Sequence, residues 1–419
     1  MNNSIFYRLD WLTLFLYIIL VIFGISNVYS TSFEQTFTYL FDLNSPVGKQ
    51  VWFFISCLVI MIPILSIKPN VFENLSYILY GLSLLVLIGL FVFGKTISGA
   101  TSWYVFGGIS IQPSEFAKVV TSLAVASQIN SFQTDLRKVK SIFKICFIIG
   151  LPSALILMQP DPGSVLVFCG LLFVLIREGM DLRILLIITV MLVLFLLTLL
   201  FNHYSIALTI FFGTLIIYFF VRRKRRKTKF LPFFIVLALS IGFTFSVDFI
   251  FNSVFEQRHR DRFNIILGVE TDTQGIGYNT NQSKIAIGSG GFSGKGFLKG
   301  TQTKGKFVPE QHTDYIFSTI GEEWGFIGST LLILTFVLLI FRVIFRAEKH
   351  TNAFRRIFSY CFASMLFVHF FINIGMTLGL VPTVGIPLPF ISYGGSNLLA
   401  FSIFLFIHLN FDANRLNEW

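Results

Sequence analysis

The sequence is short of charge. Of its 419 residues, 13% are Asp, Glu, Lys or Arg, about half the share of a soluble globular domain. A chain so poor in polar surface cannot cover itself in water, which excludes an ordinary cytosolic enzyme and a disordered protein. Cysteine is scarce too. Cys57, Cys146, Cys169 and Cys361 lie in or beside apolar stretches and form no Cys-x-x-Cys pair. That excludes a disulfide-built secreted domain and makes metal or redox work at cysteine unexpected. The four read as small buried hydrophobes.

What the chain has in abundance is apolar. Hydrophobic residues make up 54%, with 52 Phe, and the mean hydropathy is +0.77. The composition predicts an all-α polytopic membrane protein. Apolar runs near 11–29, 50–67, 73–93, 115–130, 143–158, 164–176, 182–201, 204–221, 230–251, 326–345, 357–379 and 393–410 give about 12 transmembrane helices. The runs at 115–130 and 164–176 are the shortest.

The formal charge of +11 would suggest nucleic acid in a soluble protein. Here the basic residues fall between apolar runs, so no nucleic acid is expected. Arg137, Lys138, Lys140 and Lys144 follow the fourth run, and Arg177 and Arg183 the sixth. Arg222, Arg223, Lys224, Arg225, Arg226, Lys227 and Lys229 follow the eighth. Arg342, Arg346, Lys349, Arg355 and Arg356 follow the tenth. Each cluster comes after an even-numbered run, which predicts both termini in the cytoplasm. The first run is long and lacks a small-residue cleavage motif, so it is expected to stay as a helix. The expected organisation is membrane helices over 1–251, one large external loop over 252–325, and further membrane helices over 326–419. The loop is Gly-rich and mixes both charge signs, but its irregular Tyr, Ile and Phe suggest a folded segment.

Several motifs could carry chemistry. Gly288-Ser289-Gly290-Gly291-Phe292-Ser293-Gly294-Lys295-Gly296 lacks the spacing of a phosphate-binding loop. Its glycines could bring backbone N–H groups to an anion, or simply make tight turns. In Pro309-Glu310-Gln311-His312-Thr313-Asp314-Tyr315, a carboxylate sits where the loop returns to the membrane. Asp314 can be a general base, or Thr313 or Asp314 can cap the next helix. Lone His312 is no metal set. In Gln112-Pro113-Ser114-Glu115-Phe116-Ala117-Lys118, Pro113 or Ser114 can start a helix, and Glu115 and Lys118 share a face. An ion pair in a membrane helix is a functional candidate, the alternative being an interfacial snorkelling pair. Asp161, in Gln159-Pro160-Asp161-Pro162-Gly163, could cap the following helix. Lys49 and Gln50 open the second helix from outside, and Glu322-Glu323 precede the tenth. Gly385-Ile386-Pro387-Leu388-Pro389-Phe390 and Ser392-Tyr393-Gly394-Gly395 predict a rigid bent connection, re-entrant in kind.

Together these motifs resemble the SEDS polymerases of bacterial cell-wall synthesis, in order over nearly the whole chain. The resemblance rests on Gly99-Ala100 with Trp103, Gln112 to Glu115 with Lys118, and Gln159-Pro160-Asp161. It extends through Gln282-Ser283, Ala286-Ile287-Gly288, the segment 309–317 and the segment 385–395. Gly300-Thr301-Gln302, Gln311 and Val384-Gly385-Ile386-Pro387 are closer to the RodA-like elongation branch than to the FtsW-like division branch. Two departures stand out. Ser102 replaces an Arg usual before the Trp, and three apolar runs (182–201, 204–221, 230–251) stand where the family commonly has one.

The resemblance implies a peptidoglycan glycosyltransferase of the bacterial cell membrane. It would polymerise lipid II into nascent glycan beside a class B penicillin-binding protein and among membrane lipids. It implies Asp314 as the catalytic carboxylate, acting as base or as ligand to a divalent cation, Mg2+ or Mn2+, that assists the leaving group. No other cofactor is expected. Trp103, Glu115, Lys118, Asp161, Arg262, Gln282, Lys284, His312 and Lys49 are the implied substrate-binding candidates. Arg262, Lys118 and Lys284 would face the pyrophosphate, with Glu115 holding Lys118. A lipid II flippase and a non-catalytic scaffold for cell-wall synthesis are the alternatives, and polymerisation from purified lipid II separates all three.

Overall fold

The computed structural model describes residues 8–32, 41–97, 99–131, 134–224, 229–249, 251, 253, 260 and 276–415. They fall into two compact units, Met180–Tyr278 and the rest of the chain.

The larger unit begins with α1 (Trp11–Ser32), α2 (Pro46–Ser66) and α3 (Pro69–Phe93). A three-stranded antiparallel sheet follows: β1 (Lys95–Ile97), β2 (Ala100–Phe106) and β3 (Ile109–Ile111). Gly107 and Gly108, both at positive φ, make the β2–β3 turn. Then come α4 (Pro113–Asn130), α5 (Val139–Met158), α6 (Pro162–Phe168) and α7 (Leu171–Arg177). Four of these helices start on proline, whose missing N–H costs nothing in a first turn. Ser45 caps α2 through Gly48 N, and Asp161 caps α6 through Ser164 N, so the expected Asp161 cap is present.

The smaller unit holds α8 (Leu182–Leu200), capped by Asp181, with α9 (His203–Lys224) and α10 (Leu231–Phe249). His203 Nδ1 lies 3.4 Å from Asp248 Oδ1. The larger unit resumes within α11 (Ile276–Ser289) and continues with α12 (Thr301–Lys304), α13 (Ile316–Ala347), α14 (Ala353–Thr377) and α15 (Gly395–Ala413). The described part of the 252–325 loop is therefore folded, with two helices of its own. The helix of the tenth run starts earlier than its apolar stretch, at Ile316, and breaks at Gly325 (φ 64°, ψ −159°).

Among the described residues, ten helices are long and apolar enough to cross a membrane. The two expected runs that fall short are α4 and the pair α6–α7, a shorter apolar stretch over Pro162–Arg177. The reason for α4 is its surroundings. It packs against α3, α5, α14 and α15 and buries most of its length, Glu115 and Lys118 included. A helix walled by protein does not need a lipid-facing sequence.

The larger unit has two chemically different ends. Asp10, just before α1, pairs with Arg342 at 2.6 Å near the far end of α13. Ser30, near the end of α1, bonds Glu323 in the first turns of α13. The two helices are thus antiparallel. Arg346–Asp412, Arg177–Glu348 and Arg356–Glu178 pairs gather at the Asp10 end. The segments 309–315 and 385–395 lie at the other.

Candidate active site

The site is built where those two segments meet. His312 C=O accepts from Tyr393 N at 2.8 Å, and their rings lie 5.6 Å apart. Asn373, on α14, donates through Nδ2 to Asp314 C=O (2.8 Å) and to Ile386 C=O (2.7 Å). One amide thus clips both segments together. The Asp314 carboxylate lies over Gly385, where an added Cβ would stand 3.2 Å from Oδ2. Gly385 has φ +70°, a conformation glycine adopts at no steric cost. Strain concentrates nearby, since non-glycine Glu310 and Phe390 also have positive φ (52° and 68°). Such residues persist only where the surrounding packing fixes them.

The helix after this loop begins at Ile316, with Tyr315 at the cap position and no side-chain cap bond. The capping alternative for Thr313 or Asp314 therefore fails. Thr313 Oγ1 instead donates to Glu310 within its own turn. His312 is half-buried. Burial pushes its pKa below the ordinary imidazole value, with Glu310 pulling the other way, so the ring is neutral at pH 7.

Beneath the 385–395 connection lies a buried polar network. Glu115 and Lys118 pair at 2.7 Å with side chains 2% and 1% exposed. Lys118 Nζ is 3.0 Å from His369 Nε2, and His369 Nδ1 is 3.1 Å from Pro387 C=O. Asn397 Nδ2 donates to Glu115 Oε2 at 2.9 Å. The pair shares a face as expected, and its burial excludes one alternative and one expected contact. It is not an interfacial snorkelling pair, and Lys118 faces His369 rather than an open cavity where a pyrophosphate could reach it. Its place is underneath, holding the connection that carries Gly385.

The remaining candidates are distributed as follows. Lys284, on α11, is exposed and lies against Gly379 just past the end of α14. Gln282 is half-buried on the same helix, and Ser283 Oγ ties that helix to Thr377 C=O at 2.9 Å. Asp161 is committed to its cap and to Gln112 Nε2 (2.9 Å) and Ser164 Oγ (2.8 Å), which leaves it less free for substrate than expected. Trp103 is half-buried in β2, opposite Lys95. Ser102 is buried, 3.5 Å from Gln159 C=O. Lys49 is half-buried, with Nζ 3.4 Å from Gly108 C=O. Arg262 lies outside the described residues.

The Gly-rich segment 288–296 does bring N–H groups to acceptors, but the acceptors are the chain's own. Lys295 N and Gly296 N bond Glu322 C=O and Glu323 C=O, and Phe326 N bonds Gly291 C=O. A Cβ at Gly290 or Gly294 would collide with backbone of α13. The anion met here is the buried Glu322 carboxylate. It accepts from Gln302 N, Thr303 N, Thr303 Oγ1 and Lys295 Nζ at 2.7–2.8 Å.

Asn373, His369 and Asn397 were not singled out from sequence. The available signal was a polar residue inside an apolar run, strongest for His369 and Asn373, one helical turn apart on α14. Among the described residues, no three or more His, Cys, Asp or Glu side chains come together as a metal set.

The FTSW_RODA_SPOVE family model, described as a cell cycle protein, matches residues 10–211 and 180–416. The peptidoglycan glycosyltransferase MrdB of Escherichia coli K12 is 34% identical over 356 residues, covering 84% of this chain and 82% of the relative. The peptidoglycan glycosyltransferase RodA of Treponema pallidum is 29% identical over 435 residues, covering 97% and 98%. A solved chain, from a study of how a peptidoglycan synthase complex coordinates polymerization and crosslinking, superposes with a TM-score of 0.71. It is 25% identical, over 98% of this chain and 99% of that one.

Proposed function

The chain belongs to the SEDS family of FtsW, RodA and SpoVE and is a peptidoglycan glycosyltransferase of the bacterial membrane; on that premise we propose that it polymerises lipid II in cell elongation, with Asp314 at the reacting centre. The observation that carries the assignment to Asp314 is its carboxylate held over the left-handed Gly385 by a clip, Asn373, that grips both segments.

The reaction joins the 4-hydroxyl of one lipid-linked disaccharide to the anomeric carbon of another glycan. Its C–O bond to undecaprenyl pyrophosphate breaks as the new C–O bond forms. Asp314 takes the hydroxyl proton as that bond develops. Cationic side chains stabilise the departing pyrophosphate. Exposed Lys284 fits that task, and Arg262 is the other candidate. Glu115, Lys118 and His369 act one layer below, fixing Pro387 and with it the support for Asp314. A divalent cation such as Mg2+, which needs only one or two protein carboxylates, would be held by Asp314 and would offset charge on the leaving group.

The solved relative comes from a polymerising and crosslinking complex. By that likeness, the partner is a class B penicillin-binding transpeptidase. The cytoplasmic membrane is the site of action, its inner side being the Arg-rich end of the larger unit, in keeping with the bias of basic residues.

The test is glycan formation from purified lipid II. Asp314→Asn keeps the shape and loses the base, so the rate should fall about 10²–10⁴-fold in a protein whose unfolding is unchanged. Full activity in the folded variant would remove Asp314 from the centre.

A further inference from the structure

Gln50, on α2, is fully buried. With Val47 and Cys57 it forms one buried stripe at helical spacing. The stripe faces the start of α15. Cys57 Sγ lies 3.9 Å from Leu398 C=O, and a Cβ at Gly395 would collide with the Phe53 ring. An amide in such a place is costly unless it is hydrogen-bonded.

Its partners are two backbone groups of the 385–395 connection. Gln50 Nε2 donates to Ser392 C=O at 3.2 Å, and Gln50 Oε1 accepts from Gly394 N at 3.3 Å. One amide thus brackets Tyr393, whose own N–H donates to His312 C=O at 2.8 Å. We infer that Gln50 is a positioning residue for polymerisation: it fixes the 392–394 backbone, through which Tyr393 sets the place of His312 and hence of Asp314. The inference rests on Asp314 as the reacting carboxylate.

Local sequence holds both sides of this contact. Ser45 caps α2, and Asp42 C=O accepts from Ser45 N and Ser45 Oγ. A Cβ at Gly48 would collide with the Asp42 backbone. The first turn of α2 is therefore pinned to the loop before it, and Gln50 stands in the next turn. Across the contact, Ser392 N donates to Leu388 C=O at 2.9 Å, and Ser392 Oγ accepts from Leu388 N at 2.8 Å. That closes the 388–392 turn, and Gln50 holds the backbone leaving it. Glu310 C=O closes the opposite turn by accepting from Thr313 N and Tyr315 N. A closed turn moves as one piece, so a shift at His312 reaches Asp314 two residues on.

Asn373 and Gln50 grip opposite ends of the connection. Asn373 holds it at Ile386, and Gln50 holds it at Ser392 and Gly394. With the second grip lost, the Tyr393 end is free to shift against His312. A displacement of the reacting group by about 1 Å costs about a hundredfold in rate. The chemistry asks for an amide. Ser392 C=O needs a donor and Gly394 N needs an acceptor, and glutamine carries one of each. Methionine has the length, no donor and only a weak acceptor. A protonated glutamate has both groups, whereas an ionised one is acceptor-only.

The test is steady-state glycan polymerisation from purified lipid II by the full chain, expressed per folded molecule. Gln50→Met should lower kcat about a hundredfold and leave KM unchanged, the signature of lost transition-state geometry. Added to Asp314→Asn it should cost no further rate, because residues that act as a unit are not additive. Gln50→Glu, taken as a ratio to the parent at each pH from about 5 to 10, a range that spans the titration of buried carboxyls, should stay near the parent while protonated and fall toward the methionine variant as pH rises. A purely structural amide would lower the unfolding midpoint and leave kcat per folded molecule intact. Parent kcat in Gln50→Met beside a crippled Asp314→Asn would overturn the role of Gln50 alone. Full activity in Asp314→Asn would remove both readings. A loss confined to KM, or a further hundredfold loss in the Asp314→Asn background, would also overturn the inference. If Gln50→Met does not fold, the Gln50→Glu series decides, and a ratio that stays flat with pH overturns it.

Discussion

Replacing Lys118 by Met tests the buried network most directly. Glu115 is 2% exposed and Lys118 1%, so neither charge can turn to solvent. With the ammonium gone, Glu115 keeps the amide of Asn397 and loses its counter-charge. Breaking a buried pair from one side costs about 3–5 kcal/mol, because the other charge stays behind. Glu115→Gln should cost a similar amount, leaving the ammonium with His369. Removing both charges together, as Glu115→Gln with Lys118→Met, strands neither. That double variant should cost less than the two single costs added together, with a coupling of about 2–3 kcal/mol, the upper end for residues in contact. The assay is reversible unfolding of the purified protein in mixed micelles, run on all four corners of the cycle. Two results would refute the reasoning. One is a Lys118→Met protein within about 1 kcal/mol of the parent, expected of a solvated pair. The other is simple addition of the two single costs.

Three further outcomes are expected. Gly385→Ala forces a side chain into a left-handed conformation, at about 1–2 kcal/mol, and sets a methyl against Asp314. A displacement of that group by about 1 Å would lower the polymerisation rate about a hundredfold, so activity should fall far more than the unfolding midpoint does. Glu322→Gln weakens the charged acceptor for two backbone N–H groups and should cost about 3 kcal/mol, read as faster proteolysis within 295–305. Asp10 has a pKa below the ordinary carboxylate value; burial pushes it up, and the Arg342 and Thr13 hydrogen bonds with the Arg346 charge more than offset that. Its contribution is therefore complete above pH 3.8 and is lost as pH falls through the depressed folded value. An acid titration of stability should show a shallower fall there for Asp10→Asn.

Local features were legible in the sequence, and features assembled across the chain were not. The proline starts of α4 and α6, the Asp161 cap and the shared face of Glu115 and Lys118 follow from spacing within a turn. The network around that pair did not, because His369 lies 251 residues from Lys118 and Asn397 lies 282 from Glu115. Short-range pattern alone left Asp314 open between general base and cap. A Thr-Asp pair before an apolar run reads as a cap, yet the helix opens two residues later. The contact with Gly385 distinguishes it, and that contact joins two loops. Glu322 looked like one of two acids before a span; its role depends on N–H groups about twenty residues upstream that the Gly-rich turns bring back to it.

The walled-in position of α4 also has a consequence for how the protein is made. α4 alone does not meet the length and hydropathy of the ten candidate spans, and its lasting partners on α14 and α15 are translated much later. At about 5–20 residues per second, the ribosome needs roughly 10–60 s to cross that interval. Through that wait α4 must be sheltered by α3 and α5, its nearest neighbours in the chain. Glu115 and Lys118, one turn apart, can already neutralise each other. The ion pair thus serves as a travelling form of the helix, closed on itself until His369 and Asn397 arrive.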